Sequence, residues 1–245
     1  MYWNVIDEHR FDVLEKLVNT ISLNDYYMAG GTALALQTGI RESFDFDFFV
    51  KHPFDVDGLI NELETIGEIK VTNSRTEGTL HCLIDDVQIT FLKYEYPLLK
   101  PLVQADKVNK LFLANIEDIA AMKLIAISQR GSKKDFFDLY CICNKCNIEL
   151  QDVFNSLSLK YKENRFNSNH ILMSLTYFAD AEAQTLPKVF ENHKWEDVKD
   201  FFSSSNIKAE RPSIRQVLEE KKASATSNNA RQSEPTISKS DYTLT

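Results

Sequence analysis

The chain has 245 residues, 43% of them hydrophobic, and a formal net charge of -8. This length and apolar content can build a sizeable core in one large or two small domains. The acidic balance argues against a broadly basic surface that coats nucleic acid, although it leaves room for a local basic site. No apolar run approaches the roughly 18 residues of a membrane span, and the N-terminus lacks a secretory pattern, so we expect a cytoplasmic protein with no membrane partner.

The first predicted elements lead to a glycine turn. Apolar residues at helical spacing predict an opening amphipathic helix, and they are Phe11, Leu14, Leu17 and Val18. The apolar run 26–28, the pair Gly30 and Gly31, and the helix formers at 33–36 then predict strand, tight turn and helix. Free amides at the first turn of such a helix attract anions, and glycine lets a phosphate approach the backbone. We therefore expect Gly30, Gly31 and Thr32 to cradle phosphate groups.

Two carboxylates follow the glycines at strand spacing. Side chains on a strand alternate between its faces, so Asp45 and Asp47 are expected to share one surface with Ser43. The opposite face then carries three aromatic side chains, those of Phe44, Phe46 and Phe48. Two unpaired carboxylates held close repel each other, and a hard cation such as Mg²⁺ or Mn²⁺ would relieve that repulsion. The alternative is a solvated polar strand face that does no chemistry.

The front half continues with a helix and a set of strands. Residues 56–66 predict the helix, and residues 69–92 predict the strands. In the last strand, Thr90 lies on the face opposite the inward residues, which are Val87, Ile89 and Phe91. Asp85 and Asp86 precede this strand and have the composition of a turn.

Lys123 lies near the middle of an apolar helical stripe. The stripe recurs at helical spacing through Ile116, Ile119, Ala120, Leu124 and Ile127. A lysine on a buried face needs a partner. Either its stem packs on apolar neighbours while its ammonium reaches water or a structural acid, or the ammonium emerges in a cleft and binds phosphate groups.

A sharp turn follows this helix. Arg130 can close its last turn, Gly131 suits a left-handed position beyond its end, and Ser132 can cap the next helix. Asp135 lies where an acid favours a helix N-terminus, so a capping role competes with a role in the site. Asp138 lies one turn further along the same face and is harder to explain as a cap.

The charges around this turn allow several roles. Asp135 or Asp138 could pair with Lys123 or Arg130, or could orient an acceptor hydroxyl as a base. Three basic residues lie near this turn: Arg130, Lys133 and Lys134. They could form a local basic path that contacts nucleic acid, or they could be ordinary solvated surface residues.

The back half of the chain is predicted to be mainly helical, with further helices at 150–157, 170–181 and 195–202. We expect an α/β core at 1–100 and a helical domain at 101–205 that closes the cleft. The tail at 206–245 is expected to be largely disordered, because it has too few large apolar residues to offset the entropy of ordering.

The cysteines and histidines indicate no site of their own. The cysteines lack the spacing of metal ligands and are expected to be reduced packing residues: Cys82, Cys141, Cys143 and Cys146. The histidines form no ligand pair at helical spacing and receive no chemical role: His9, His52, His81, His170 and His193.

Two blocks of the sequence resemble a known family, the AbiEii/AbiGii-type nucleotidyltransferase toxins of the polymerase-beta-like nucleotidyltransferase superfamily. The first block is Gly30-Gly31-Thr32-Ala33-Leu34 with Arg41-x-Ser43-x-Asp45-x-Asp47-Phe48-Phe49. The second block, more particular to the family, is Lys123 with Arg130-x-x-x-Lys134-Asp135-x-x-Asp138. The similarity runs from about residue 26 through the segment 195–202 and leaves the tail uncovered.

The resemblance implies an α+β fold, in which a mixed sheet with flanking helices precedes a helical bundle. It implies transfer of a nucleoside monophosphate from an NTP with Mg²⁺, often onto RNA such as tRNA, by the toxin of a toxin–antitoxin or phage-defence pair. A cognate antitoxin would then be a partner. Asp45 and Asp47 would hold the metal, with catalytic roles for Lys123, Asp138 and Asp135. The implied nucleotide-binding residues are Gly30, Gly31, Thr32, Lys123, Arg41 and Arg130.

One position departs from the superfamily pattern. Thr90 occupies the place of a third acid, which affects the identity of the general base and the presence of a second metal. Glu95 is a remote substitute. Two other functions remain open: a nucleotidyltransferase that acts on a small hydroxyl compound, and a catalytically degenerate module that binds a partner. A surface salt bridge is the alternative role for Arg41.

Overall fold

The computed structural model of the protein describes residues 1–20, 25–76, 78–161 and 166–203. The expected disordered tail at 206–245 lies outside the described residues. The described helices comprise a 3-10 turn, Trp3–Val5, and the α-helices α1 (Glu8–Thr20), α2 (Gly30–Thr38), α3 (Val56–Leu63), α4 (Ile116–Arg130), α5 (Lys133–Lys145), α6 (Leu150–Lys160), α7 (Ser168–Ser174), α8 (Ala179–Glu182) and α9 (Trp195–Ser203).

The strands of the described chain form one mixed sheet. They are β1 (Tyr26–Ala29), β2 (Phe46–Val50), β3 (Ile69–Thr76), β4 (Thr79–Ile84), β5 (Val87–Lys93), β6 (Val103–Gln104) and β7 (Phe112–Leu113). Their order across the sheet is β3-β4-β5-β2-β1-β7-β6. Strand β2 runs antiparallel to β1 and parallel to β5, so it lies at the centre of the sheet. This α+β architecture confirms the predicted fold class.

The helices of the back half pack around α4. Helix α4 contacts α2, α5, α6 and α7, and α2 in turn packs on β1 and β2. The predicted boundary between the core and the helical domain was residue 100, and β6 and β7 join the sheet beyond that point. Aromatic side chains fill the layer on the inner face of the sheet, where the rings of Phe48 and Phe91 stack with centroids 5.4 Å apart.

A buried ion pair connects helices α4 and α6 outside the cleft. Lys160 Nζ lies 2.6 Å from Asp118 Oδ1, and both side chains are 0% exposed. The Asp118 carboxylate also accepts from the backbone amides of Leu99 and Lys100, and Lys160 donates to the Pro97 carbonyl oxygen. These bonds join α4, α6 and the connection that follows β5.

Two predictions about local structure are wrong. The helix expected at 170–181 is two short helices, because α7 ends at Ser174 and α8 begins at Ala179. The Thr176 hydroxyl donates to the Met173 carbonyl oxygen and so competes with the helical backbone pattern. Phe44 was expected on the buried face, yet it is 42% exposed, because it lies before the first residue of β2 and carries the Arg10 guanidinium over its ring.

Among the described residues, no helix has both the length and the apolar character that crossing a membrane requires.

Candidate active site

A cleft of ≈ 360 Å³ opens beside β2, β5 and α4. It brings together residues that lie more than one hundred positions apart in the sequence. The predicted site residues that line it are Gly30, Gly31, Thr32, Arg41, Asp45, Asp47, Lys123, Arg130 and Asp135. Asp138 lies beneath this surface, fully buried, and contacts two of the lining residues.

The predicted glycine turn joins β1 to α2. Gly30 has a positive φ of 75°, in the left-handed region that favours glycine. A Cβ at position 30 would lie 2.5 Å from Asp47 Oδ2, and a Cβ at position 31 would lie 2.6 Å from Arg41 Nη2. A side chain at either position would have to displace the Asp47 carboxylate or the Arg41 guanidinium, and at position 30 it would also strain the backbone. The first residues of α2 line the cleft, and Ala29 provides no side-chain cap for their amides.

The two carboxylates lie at the start of β2. Asp47 is opposite Ala29 of β1 and opposite Thr90 of β5, which fixes its position at the centre of the sheet. Asp45 lies one residue before the strand, where the buried Thr32 hydroxyl donates to its carbonyl oxygen. The same hydroxyl lies 2.7 Å from Ser43 Oγ. Thr32 thus holds the backbone that presents Asp45.

Burial raises the pKa of Asp47 above its usual range, and the neighbouring charge of Asp45 raises it further. The nearby cations Lys123, Lys134 and Arg130 oppose this effect without cancelling it. The charge of Asp45 thus acts on Asp47 in the direction expected for two nearby carboxylates. A cation bound beside Asp47 would therefore favour its charged form.

Lys123 is the centre of a buried charge network. Its Nζ lies 2.9 Å from Asp135 Oδ1 and 2.6 Å from Asp138 Oδ2, and the residue is 4% exposed. Each of the two predicted alternatives for Lys123 is met in part. Its ammonium pairs with structural acids, and the residue also lines the cleft. Burial alone would lower the pKa of Lys123, but the charges of Asp138 and Asp135 outweigh it and raise the pKa.

Arg41 joins the loop before β2 to α5. Its Nε and Nη2 donate to the two carboxylate oxygens of Asp138 at 2.7 and 2.8 Å. Both side chains are buried, so the alternative of a surface salt bridge for Arg41 is wrong. Burial would raise the pKa of Asp138, but Arg41 and Lys123 hold it below its usual range. The backbone of Arg41 is held as well, by a bridge to Val189.

Asp135 binds the other end of the network. Arg130 donates to it through Nε at 2.7 Å and Nη2 at 3.0 Å, and the Ser132 hydroxyl donates to Oδ2 at 2.5 Å. Helix α4 ends at Arg130, Gly131 is left-handed with φ 51°, and Ser132 is the N-cap of α5, as the sequence predicted. The Ser132 side chain caps no backbone amide. Asp135 pairs with both Lys123 and Arg130, so it acts as an ion-pair partner more than as a capping acid.

The predicted basic path is only partly assembled at the cleft. Lys134 is exposed and lines the cleft with Arg130, whose side chain is 60% exposed. Lys133 points elsewhere, because adjacent residues on a helix project about 100° apart. Its Nζ donates to the Glu182 carbonyl oxygen and lies over the Trp195 ring.

The structure adds a histidine that received no role from the sequence. His81 of β4 is opposite Thr90 of β5, with Nδ1 3.1 Å from Thr90 Oγ1, and both residues line the cleft. A signal was present: a two-residue turn at Asp85 and Asp86, both with positive φ, pairs Ile84 with Val87. Counting back three residues along that hairpin pairs His81 with Thr90.

Comparisons with known proteins show the family and the fold of the chain. The sequence model of the family described as nucleotidyl transferase AbiEii toxin, type IV TA system, matches residues 12–220. A protein of Aquifex aeolicus (strain VF5), described as uncharacterized, is 38% identical over 197 residues, which cover 78% of this chain and 91% of that protein. The solved structure of MenT4, a nucleotidyltransferase toxin from Mycobacterium tuberculosis H37Rv, covers 86% of this chain and 94% of its own, with a TM-score of 0.51 and 16% identity.

At 16% identity the structural match shows a shared fold, whereas the family match spans most of the sequence and includes the glycine turn, both carboxylates and the charge network. The chain therefore belongs to the AbiEii family of nucleotidyltransferase toxins, from type IV toxin–antitoxin systems, and its enzymatic activity is nucleotidyl transfer.

Proposed function

We propose that the protein transfers a nucleoside monophosphate from an NTP to an RNA acceptor, such as tRNA, in a reaction that depends on Mg²⁺ or Mn²⁺. The observation that carries this proposal is the contact between Asp47 and the Gly30 turn. Asp47 lies against the backbone at the start of α2, and Asp45 lines the same cleft. A divalent metal held by the acids and a triphosphate held by the amides would then share one cleft.

The carboxylates fit a hard divalent cation. Asp45 and Asp47 would supply oxygen ligands, and burial together with the charge of Asp45 raises the pKa of Asp47, an effect that a bound cation would oppose. Within the described ranges, no group of three or more His, Cys, Asp or Glu side chains is placed to hold a metal. Mg²⁺ is often held by one or two carboxylates together with substrate phosphates, which matches this donor set. When bound, the metal would neutralise charge on the phosphates during transfer.

The triphosphate would bind along the cleft from the glycine turn to α4. Backbone amides at Gly30 and Gly31 would bind phosphate oxygens at the N-terminus of α2, where the helix dipole also favours negative charge. Thr32 would contribute through its amide, since its hydroxyl holds Asp45. Lys123 and Arg130 line the opposite wall and carry positive charge.

Asp135 and Asp138 act as positioning residues in this proposal. Both are 0% exposed and bound by cations, so neither is free to take a proton from an acceptor. Asp138 holds Arg41 against the Gly31 backbone, and Asp135 holds Lys123 and Arg130 at the wall of the cleft. An acceptor hydroxyl could then attack the α-phosphate in line with the departing pyrophosphate.

RNA is favoured as acceptor by the exposed cations at the mouth of the cleft. Arg130 and Lys134 lie at the edge of the cleft, where they can contact a phosphate backbone near one RNA end. The formal charge of -8 restricts binding to such a local site. The biological role would be that of a toxin kept in check by a cognate antitoxin, with phage defence as one setting.

Transfer can be tested with each α-labelled NTP, Mg²⁺ and total tRNA, followed by small hydroxyl compounds in place of tRNA. We expect label on tRNA with wild-type protein and none with Asp45→Asn. The exposed Asp12, which is remote from the cleft, provides a matched control as Asp12→Asn. Label found only on small acceptors would replace RNA by a small-molecule substrate, and no transfer to any acceptor would contradict the proposal.

A further inference from the structure

One titratable side chain that lines the cleft and can accept a proton, among the described residues, is neither in an ion pair nor assigned to a metal. Asp135 is bound by Lys123, Arg130 and Ser132, and the proposed function assigns Asp45 and Asp47 to a metal. The remaining lining group that can accept a proton is His81, in the part of the chain that the structure describes. Nucleotidyl transfer needs such a group, because the attacking hydroxyl loses its proton as its oxygen bonds to phosphorus.

The position of His81 suits that task. Thr90 lies directly beside Asp47 in the sheet, and His81 lies directly beside Thr90 on the next strand. All three residues line the same cleft. The row Asp47, Thr90, His81 therefore runs across three neighbouring strands, from the proposed metal ligand outwards.

The hydrogen bond to Thr90 sets the orientation of the imidazole. Nδ1 lies 3.1 Å from Thr90 Oγ1 in a partly buried place, and Thr90 itself is 3% exposed. When Nδ1 donates to Thr90, Nε2 carries the lone pair. Among the side chains that the structure describes, which do not include those at 73–77, Nε2 has no hydrogen-bond partner. The side chain of His81 is partly exposed, so an acceptor can reach it.

We propose that His81 is the general base of nucleotidyl transfer and that Thr90 is its positioning residue. The acceptor O–H bond breaks and its proton moves to His81 Nε2. The acceptor oxygen bonds to the α-phosphorus, the bond from that phosphorus to the bridging oxygen breaks, and pyrophosphate leaves with the electron pair. His81 then releases its proton to solvent. This inference rests on the proposed function, because it assigns a residue to that reaction.

The test measures kcat and KM for pyrophosphate release from the preferred NTP with total tRNA as acceptor. We expect His81→Gln to lower kcat by about 100-fold or more while KM for the NTP stays unchanged. Thr90→Val should lower kcat by about tenfold, the factor that corresponds to one hydrogen bond, and Thr90→Ser should retain activity. The exposed His52, outside the cleft, gives the control His52→Gln.

Chemical rescue separates a base from a structural residue. Added imidazole should restore part of the kcat of His81→Ala and should leave the control His52→Ala unchanged. Thermal unfolding of each variant, and calorimetric binding of the NTP with Mg²⁺, should match those of wild type.

Several outcomes would overturn the inference. These are a His81→Gln enzyme within about threefold of wild type, a rise in KM without loss of kcat, or a loss that imidazole does not restore in a folded variant. Each of these requires an active wild type. An inactive wild type would instead contradict the proposed function, and this inference would fail with it.

Discussion

Asp47 occupies the space that a side chain at position 30 would need, since a Cβ there would lie 2.5 Å from Asp47 Oδ2. Backbone and carboxylate are thus in direct contact between α2 and the central strand. Gly30→Ala should abolish transfer, because the new methyl group displaces Asp47, and should destabilise the fold by about 1–3 kcal/mol through the positive φ. Activity and urea unfolding measure both effects.

Gly131→Ala is the matched control for this substitution. Gly131 also has a positive φ, 51°, but its nearest atom to an added Cβ is 3.7 Å away. It should show the backbone strain without loss of transfer. Normal activity in Gly30→Ala would mean that the Asp47 position is unimportant for the reaction.

Asp47→Asn should separate stability from function. The raised pKa of Asp47 means that its negative charge is unfavourable in the metal-free fold, so the neutral amide should leave the free energy of unfolding unchanged or raise it by up to about 1 kcal/mol. Transfer should be lost. Urea unfolding without divalent metal, next to the activity assay, checks this, and a marked destabilisation would show that Asp47 has a structural role.

The Arg41–Asp138 pair should be essential for the fold of the site. Asp138→Asn leaves Arg41 and Lys123 buried with reduced compensation, and we expect a loss of about 3–5 kcal/mol in the free energy of unfolding. Lys188→Ala, which removes an exposed partner of Glu42 at 3.5 Å, should change it by less than about 1 kcal/mol. Similar effects of the two substitutions would contradict the buried network.

Stability should fall at acidic pH because of Asp135 and Asp138. Their pKa values are lower in the folded state than in the unfolded chain, since neighbouring cations outweigh burial. Their stabilisation is therefore complete above the unfolded value near pH 4 and is lost as the pH falls below it. Urea unfolding from pH 7 to pH 3 should show this loss, and Asp138→Asn should flatten it. The raised pKa of Asp47 contributes with the opposite sign, so a stability independent of pH in the Asp47→Asn background would contradict the lowered pKa values.

The Asp118–Lys160 pair should stabilise the bundle without affecting the reaction directly. Asp118→Ala strands a fully buried lysine and should cost about 3–5 kcal/mol in unfolding free energy. Lys100→Ala, which breaks an exposed pair with Glu117, serves as control. Equal denaturation midpoints for both variants would be inconsistent with the buried pair.

Local patterns predicted the elements that form the site. The glycine turn, the strand with Asp47, and the turn at Gly131 follow from propensity and spacing, and the structure has all three, although Asp45 lies one residue before the strand. The helix wheel also placed Lys123 on the buried side of α4. These features depend on residues close in sequence, where spacing determines the geometry.

Long-range pairing was less accessible from the sequence. Arg41 and Asp138 are 97 positions apart, and no local rule decides which of the nearby cations binds which acid. In the break at 175–178 between α7 and α8, the backbone amides of Thr176 and Tyr177 bond to carbonyl oxygens three residues back, which the apolar spacing does not predict. The His81–Thr90 contact needed the hairpin register, which the turn at Asp85 and Asp86 contains.

The central claim is that Asp45 and Asp47 hold a divalent metal beside the glycine turn. Calorimetric measurement of NTP binding with and without Mg²⁺ tests it most directly. Wild-type protein and Asp12→Asn should bind the NTP only when the divalent ion is present. Asp45→Asn should bind the NTP weakly or not at all, and added Mg²⁺ should not improve its binding. Equal NTP binding by wild type and Asp45→Asn, or binding that ignores Mg²⁺, would contradict a metal held by the two carboxylates beside the glycine turn.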